Sequence, residues 1–79
     1  MNILKLKSVD DNMIVYEYRP EGMGMFGIVS YDKTSQKVNL IKKATATAYD
    51  DLYASKAMYK VAEFVEMKNL PIRYIQAWY

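Results

Sequence analysis

The fold is decided by the stretch Thr47–Asn69, which reads TAYDDLYASKAMYKVAEFVEMKN and is the one segment with a sustained helical period. At about 100° per residue its apolar side chains fall within a stripe about 140° wide, as expected for a helix that buries one side. This stripe consists of Tyr53, Ala54, Ala57, Met58, Val61, Phe64 and Val65. We therefore predict a helix over 47–69 that packs against the remainder of the chain.

Both ends of this helix carry sequence signals. Thr47 with Asp50 three residues later resembles a capping box, and Asp51 adds negative charge near the positive end of the helix dipole. After Asn69 the chain reaches Pro71, which has no amide proton and pushes the preceding residue toward extended geometry. The acids at the helix start are thus interpreted as structural.

The rest of the chain alternates apolar and polar residues as strands do. The predicted strands are 2–9, Met13–Arg19, Met25–Tyr31, Gln36–Lys43 and Ile72–Tyr79, separated by turns at Asp10–Asn12, Pro20–Gly24 and Asp32–Ser35. In the last of these turns Ser35 occupies the position where glycine would be easier. We predict a single α+β domain over 1–79, with four to five antiparallel strands against one helix in the order β-β-β-β-α-β.

Composition restricts the class of function. The 79 residues are 52% hydrophobic and 25% charged, and they include neither cysteine nor histidine. Disulfides, thiolate metal sites and Ser-His or Cys-His nucleophiles are therefore excluded. No apolar run approaches the ~20 residues of a membrane span, and no signal-peptide core is present. We expect a cytoplasmic protein that is not an enzyme and uses no cofactor or metal.

Two motifs invite a chemical interpretation, and each has a structural alternative. The glycines of Gly22–Gly27 resemble a phosphate-binding loop, but their spacing is wrong by one and the segment joins two predicted strands. We interpret this segment as a hairpin loop with a closely packed Gly27. The acid pairs Asp10-Asp11 and Asp50-Asp51 suggest a metal site, yet adjacent side chains point apart, which favours roles in a turn and a cap.

Both faces of the predicted sheet are apolar. Ile14, Tyr16, Tyr18, Phe26 and Ile28 alternate with a second apolar set, and one helix covers only one face. Large exposed apolar patches usually mark partner surfaces. The candidate interaction surface combines the second set with outward-facing helix residues: Met13, Val15, Met25, Val29, Tyr31, Leu52, Tyr59 and Met67. We predict a non-catalytic interaction protein that acts through homodimerisation or through binding of a protein partner.

The alternative is a small module that binds single-stranded nucleic acid. Eight tyrosines and Trp78 are interleaved with lysines, and aromatic side chains on a sheet face can stack on bases. Aromatic residues at strand spacing also form ordinary core and cross-strand pairs. The net charge of +2 is too small to imply a polyanionic partner, although Lys37, Lys42 and Lys43 form a local basic patch.

Three motifs resemble a family of short uncharacterised proteins from Gram-positive bacteria. They are Tyr16-Glu17-Tyr18-Arg19-Pro20-Glu21-Gly22, Gly27-Ile28-Val29-Ser30-Tyr31-Asp32, and Leu70-Pro71 with Ala77-Trp78-Tyr79. The resemblance spans most of the chain and implies a helix before the Leu-Pro step and a bacterial cytoplasmic origin. The family usually has glycine where this chain has Ser35, and it implies no activity or functional residues.

Overall fold

The computed structural model describes residues 1–45 and 48–78. Within them lie β1 (Asn2–Val9), β2 (Met13–Pro20), β3 (Gly27–Asp32), β4 (Lys37–Lys42), α1 (Asp50–Glu66) and β5 (Arg73–Gln76). The five strands form one sheet in the order β4-β3-β2-β1-β5, and every neighbouring pair is antiparallel. The predicted α+β fold and element order are confirmed.

Helix α1 begins later than predicted. Its first residue is Asp50, and the predicted cap Thr47 lies outside the described residues. The carboxylate of Asp51 lies 3.0 Å from the ammonium of Lys43, so this acid closes the β4–α1 connection at the surface. Hydrogen bonding to Asp51 also raises the pKa of Lys43.

The end of α1 comes at Glu66 rather than at Asn69. Lys68 has a φ of 55°, and the amides of Lys68 and Asn69 donate to the carbonyl oxygens of Val65 and Phe64 at 3.1 and 3.0 Å. This is the hydrogen-bond pattern of a Schellman motif, in which glycine usually takes the left-handed position. The chain therefore turns out of the helix before it reaches the proline.

Two loops differ from the sequence prediction in detail. β3 begins at Gly27 and not at Met25. A Cβ at Gly27 would lie 2.1 Å from Cε1 of Tyr18, so this glycine is closely packed, as predicted. In the β3–β4 turn the positive φ falls on Gln36, at 59°, and not on Ser35. The Asp32 carboxylate accepts the amide of Ser35 at 3.2 Å, which places Ser35 one residue before the left-handed position.

The core lies between the sheet and α1. Leu4, Ile14, Tyr16, Tyr18 and Val29 on the sheet pack against Ala54, Ala57, Val61 and Phe64 on the helix. The ring centroids of Tyr16 and Phe64 are 5.5 Å apart. Because these side chains come from the middle strands and from the inner stripe of α1, the predicted core stripe of the helix is confirmed at its centre.

Two buried tyrosines of β2 form hydrogen bonds to the segments that precede and follow α1. The Tyr16 hydroxyl donates to the carbonyl oxygen of Pro71 at 2.6 Å, and the Tyr18 hydroxyl accepts the amide of Ala44 at 3.0 Å. β4 and β5 lie on opposite edges of the sheet, so the segment between them must cross its whole width. The tyrosines hold that crossing segment against the central strand.

Candidate interaction surface

The pairing register divides the sheet into two faces. Tyr16 lies opposite Val29 and Ile14 opposite Tyr31, and antiparallel partners project to the same side. These residues face α1. We call the other side the open face; it is formed by Ile3, Lys5, Ser8, Met13, Val15, Glu17, Arg19, Ile28, Ser30, Asp32, Lys37, Asn39, Lys42, Arg73 and Ile75. No helix or strand within 1–45 and 48–78 lies over it.

Six of the eight predicted surface residues fall into three groups. Met13 and Val15 are half-buried on the open face. Met25 is exposed in the loop before β3. Leu52 and Tyr59 on the outer side of α1, and Met67 directly after it, are exposed on the opposite side of the molecule from the open face.

Val29 and Tyr31 are corrections to the prediction. Val29 is only 1% exposed, and Tyr31 is half-buried and packs on the core. Alternation within β3 separates its two sides correctly, but only the pairing with β2 shows which side meets Tyr16. These two residues belong to the helix-covered face, and Ile28 belongs to the open face.

An ion pair between a buried carboxylate and a half-buried arginine occupies the middle of the open face. Glu17 on the central strand β2 is 4% exposed. Its carboxylate accepts from Arg19 Nε at 2.8 Å and from Nη2 at 3.4 Å, while Arg19 Nη1 donates to the carbonyl oxygen of Gly24 at 2.7 Å. A desolvated carboxylate is costly unless it is paired, so the pair has one defined geometry.

Ser30 lies close to this pair, on the neighbouring strand. Its residue exposure is 0%, and its Oγ has no hydrogen-bond partner within the described part of the chain. Buried polar atoms are normally satisfied. Glu17 and Ser30 at the centre of the open face are therefore shielded from water by the protein itself, and the buried Ser30 hydroxyl has no hydrogen-bond partner among the described residues.

Phe26 closes one end of the open face. Its ring centroid lies 5.0 Å from Cζ of Arg19 and 4.0 Å from Nζ of Lys42, within the range of cation–π interactions. Arg19 thus connects the carboxylate of Glu17 to an aromatic ring. Arg19 and Lys42 are therefore held in place by contacts within the protein.

The β1–β5 side of the open face carries cations without such partners. Lys5 lies directly opposite Arg73, and both are exposed. Glu17 is the opposite neighbour of Lys5 on β2, but the ion pair that the structure shows for it is with Arg19. In the described ranges, neither Lys5 nor Arg73 has an ion pair.

An apolar pair adjoins these cations. Ile3 lies opposite Ile75, two residues along the strands from Lys5 and Arg73 on the same face. Ile75 is 50% exposed. The four side chains form two adjacent rows, one cationic and one aliphatic. Sequence reasoning missed them because they meet only once β5 pairs with β1, although each strand alone shows the alternation of an isoleucine with a basic residue.

The aromatic residues of the strands do not form a base-stacking surface on the open face. Tyr16 and Tyr18 are fully buried on the helix side, and Tyr74 contacts Phe64 edge to face at 5.1 Å. Trp78 packs on Tyr53 of α1, with centroids 5.5 Å apart. The interleaving of aromatic and basic residues in the sequence thus arises mainly from core packing.

The other motifs have local roles in the structure. Oδ1 of Asp10 accepts the amides of Asn12 and Met13, both at 2.7 Å, and these bonds lower the pKa of Asp10. Gly22 adopts a φ of 70° in the β2–β3 loop. Among the described residues we find no pocket, no cluster of acidic side chains arranged for a metal ion, and no helix with the length and hydropathy to cross a membrane.

Comparison with known proteins adds no relative from which a function could be transferred. The resemblance to short bacterial proteins therefore stays a prediction. No family model, no curated protein and no solved structure matches the chain.

Proposed function

We propose that this chain is a non-catalytic interaction protein that binds protein surface through its open face. The observation that carries the proposal is the uncovered side of the five-stranded sheet, where Ile3, Val15, Ile28 and Ile75 surround the Glu17–Arg19 ion pair. Interfaces combine an apolar, charge-depleted centre with a polar rim, and arginine is enriched in them. The open face has the arginine and the aliphatic side chains of such interfaces, but its centre is the Glu17–Arg19 pair and not a charge-depleted apolar patch.

The partner is either a second copy or another protein. The exposed Leu52, Tyr59 and Met67 on the outer side of α1 provide a secondary contact on the opposite side of the molecule. Each Å² of apolar surface that is removed from water contributes about 25 cal/mol of favourable free energy, so burial of either surface is favoured. The open face spans five paired strands, which hold its side chains in a fixed arrangement.

Site-specific photocrosslinking in the source cells tests the proposal. A benzophenone amino acid at Ile75 samples the open face, and the same residue at the exposed Ser55 of α1 is the matched control. We expect crosslinks to protein from position 75 and far fewer from position 55. A crosslink to a second copy identifies a homodimer. No protein crosslink at position 75, or equal yields at both positions, would contradict the proposal.

Binding of single-stranded nucleic acid is the alternative function. The basic residues on the open face support this alternative. The strand tyrosines do not, because they lie on the other side of the sheet. Phosphate contacts release counterions, so binding of this kind weakens steeply with salt. A salt-dependent mobility shift of a random oligonucleotide, lost in a Lys5→Ala/Arg73→Ala variant, would favour it over the first proposal.

A further inference from the structure

The charges on the open face are unbalanced. Five basic residues, Lys5, Arg19, Lys37, Lys42 and Arg73, accompany two acidic ones, Glu17 and Asp32. The whole chain has a net charge of +2, so the open face is more positive than the remainder of the molecule. A partner surface of opposite sign is favoured by such an excess.

Four basic residues of the open face, Lys5, Lys37, Lys42 and Arg73, have no ion pair among the described residues, and two of them lie directly opposite each other on β1 and β5. Arg19 is neutralised by Glu17, and Lys42 lies over Phe26, whereas Lys5 and Arg73 stand opposite each other. Like charges directly opposite on a sheet destabilise it. Residues that break a local stability rule without a compensating contact are expected at functional sites. An anionic group placed between these two side chains would remove the repulsion.

The neighbouring residues indicate which anion fits. Ile3 and Ile75 lie beside the cations on the same face, and the strand aromatics that could stack on bases lie on the other face. A nucleic acid would leave the isoleucines without a matching group, whereas a protein surface presents carboxylates next to aliphatic side chains. A second copy placed face to face would bring the same positive excess.

We propose that the open face recognises an acidic surface of another protein, in which aspartate or glutamate binds between Lys5 and Arg73 and an aliphatic side chain packs on Ile3 and Ile75. This inference rests on the proposed function. Recognition of this kind depends on ionic strength, because both cations are exposed to solvent.

The probe is a short fluorescent peptide in which glutamate alternates with leucine, titrated into the full chain and followed by anisotropy and by amide chemical shifts. We expect shifts at Ile3, Lys5, Arg73 and Ile75, and binding about tenfold weaker in Lys5→Ala/Arg73→Ala. The matched control is Lys56→Ala/Lys68→Ala, which removes the same charge from the helix side and should bind as the wild type does.

Four results would overturn the inference. They are equal weakening in the two double variants, tighter binding of an oligothymidylate than of the peptide, a face-to-face dimer of the chain that blocks the peptide, and a peptide that does not bind. Crosslinking at position 75 separates these failures from failure of the proposed function, because a protein crosslink there without selection of the acidic peptide leaves the open face as an interface.

Discussion

At the scale of single residues, close packing between Gly27 and Tyr18 controls how β3 joins the sheet. A Cβ at Gly27 would lie 2.1 Å from the Tyr18 ring and 2.6 Å from the carbonyl oxygen of Lys42, which is backbone and cannot move aside cheaply. A Cβ at Gly24 would have no other residue's atom within 4 Å, its two chain neighbours aside. Two glycines in one loop region therefore have different requirements.

Gly27→Ala should destabilise the protein by about 2–3 kcal/mol or more, since overpacking a tight site forces strain on its neighbours. Gly24→Ala is the matched control and should change stability by less than about 0.5 kcal/mol. Urea unfolding of both variants measures the difference. Equal stabilities would show that the Tyr18 ring moves away without cost and that this contact does not limit the fold.

The buried Tyr16 hydroxyl predicts how stability responds to alkali. Burial raises the pKa of Tyr16 from 10.0 to about 12. The folded protein therefore keeps the phenol protonated at pH values where the unfolded chain loses the proton. The stability that arises from this difference in pKa between the folded and the unfolded chain is fully present below pH 10.0 and is lost as the pH rises through about 12.

Tyr16→Phe should reduce the loss of stability at alkaline pH. It should also lower the free energy of unfolding at neutral pH by about 1 kcal/mol, because the Pro71 carbonyl loses its hydrogen-bond donor. Burial also raises the pKa of Tyr18, so part of the alkaline sensitivity remains in the variant. Urea midpoints at about pH 8 and about pH 11 give the comparison. An identical fall in stability with pH for wild type and variant would rule out Tyr16 as a source.

At the scale of elements, the β3–β4 turn has a left-handed residue that the sequence does not mark. The positive φ of 59° belongs to Gln36, and its amide donates to the Asp32 carbonyl at 2.8 Å. The sequence suggested Ser35 for this position because the turn was counted one residue short. Side chains other than glycine pay about 1–2 kcal/mol in this conformation.

Gln36→Gly should therefore stabilise the protein by about 0.5–1 kcal/mol, after the greater flexibility of glycine in the unfolded chain is subtracted. Ser35→Gly, at the position the sequence favoured, should be neutral or destabilising because it gains no relief. Thermal unfolding of the two variants under the same conditions decides between them. Stabilisation by Ser35→Gly alone would contradict the observed turn geometry.

At the scale of the whole molecule, the sequence predicts more of the fold than of the surface. The inner stripe of α1 and the alternation of the strands were sufficient for the α+β class and the element order. Which residues lie on which side of the sheet can be assigned only from the strand register, because Val29 can be placed opposite Tyr16 only after β2 and β3 are paired. Bulges add to this difficulty, since the β1 register shifts between Leu6 and Ser8.

The open face also depends on strand order. Lys5 and Arg73 are far apart in sequence and become neighbours because α1 carries the chain from one edge of the sheet to the other. Periodicity within one strand holds no information about this pairing. The predicted surface therefore found Met13 and Val15 but missed the rows of cationic and aliphatic residues beside them.

The most direct test of the central claim, that protein surface covers the open face, is the accessibility of single thiols. The chain contains no cysteine, so Ile75→Cys and Ser55→Cys each introduce one reactive group. Maleimide labelling is compared in purified protein and in source-cell lysate. We expect the thiol at 75 to be protected, in the lysate or with rising protein concentration, while the thiol at 55 labels rapidly throughout. Equal and rapid labelling at both positions under every condition would contradict it.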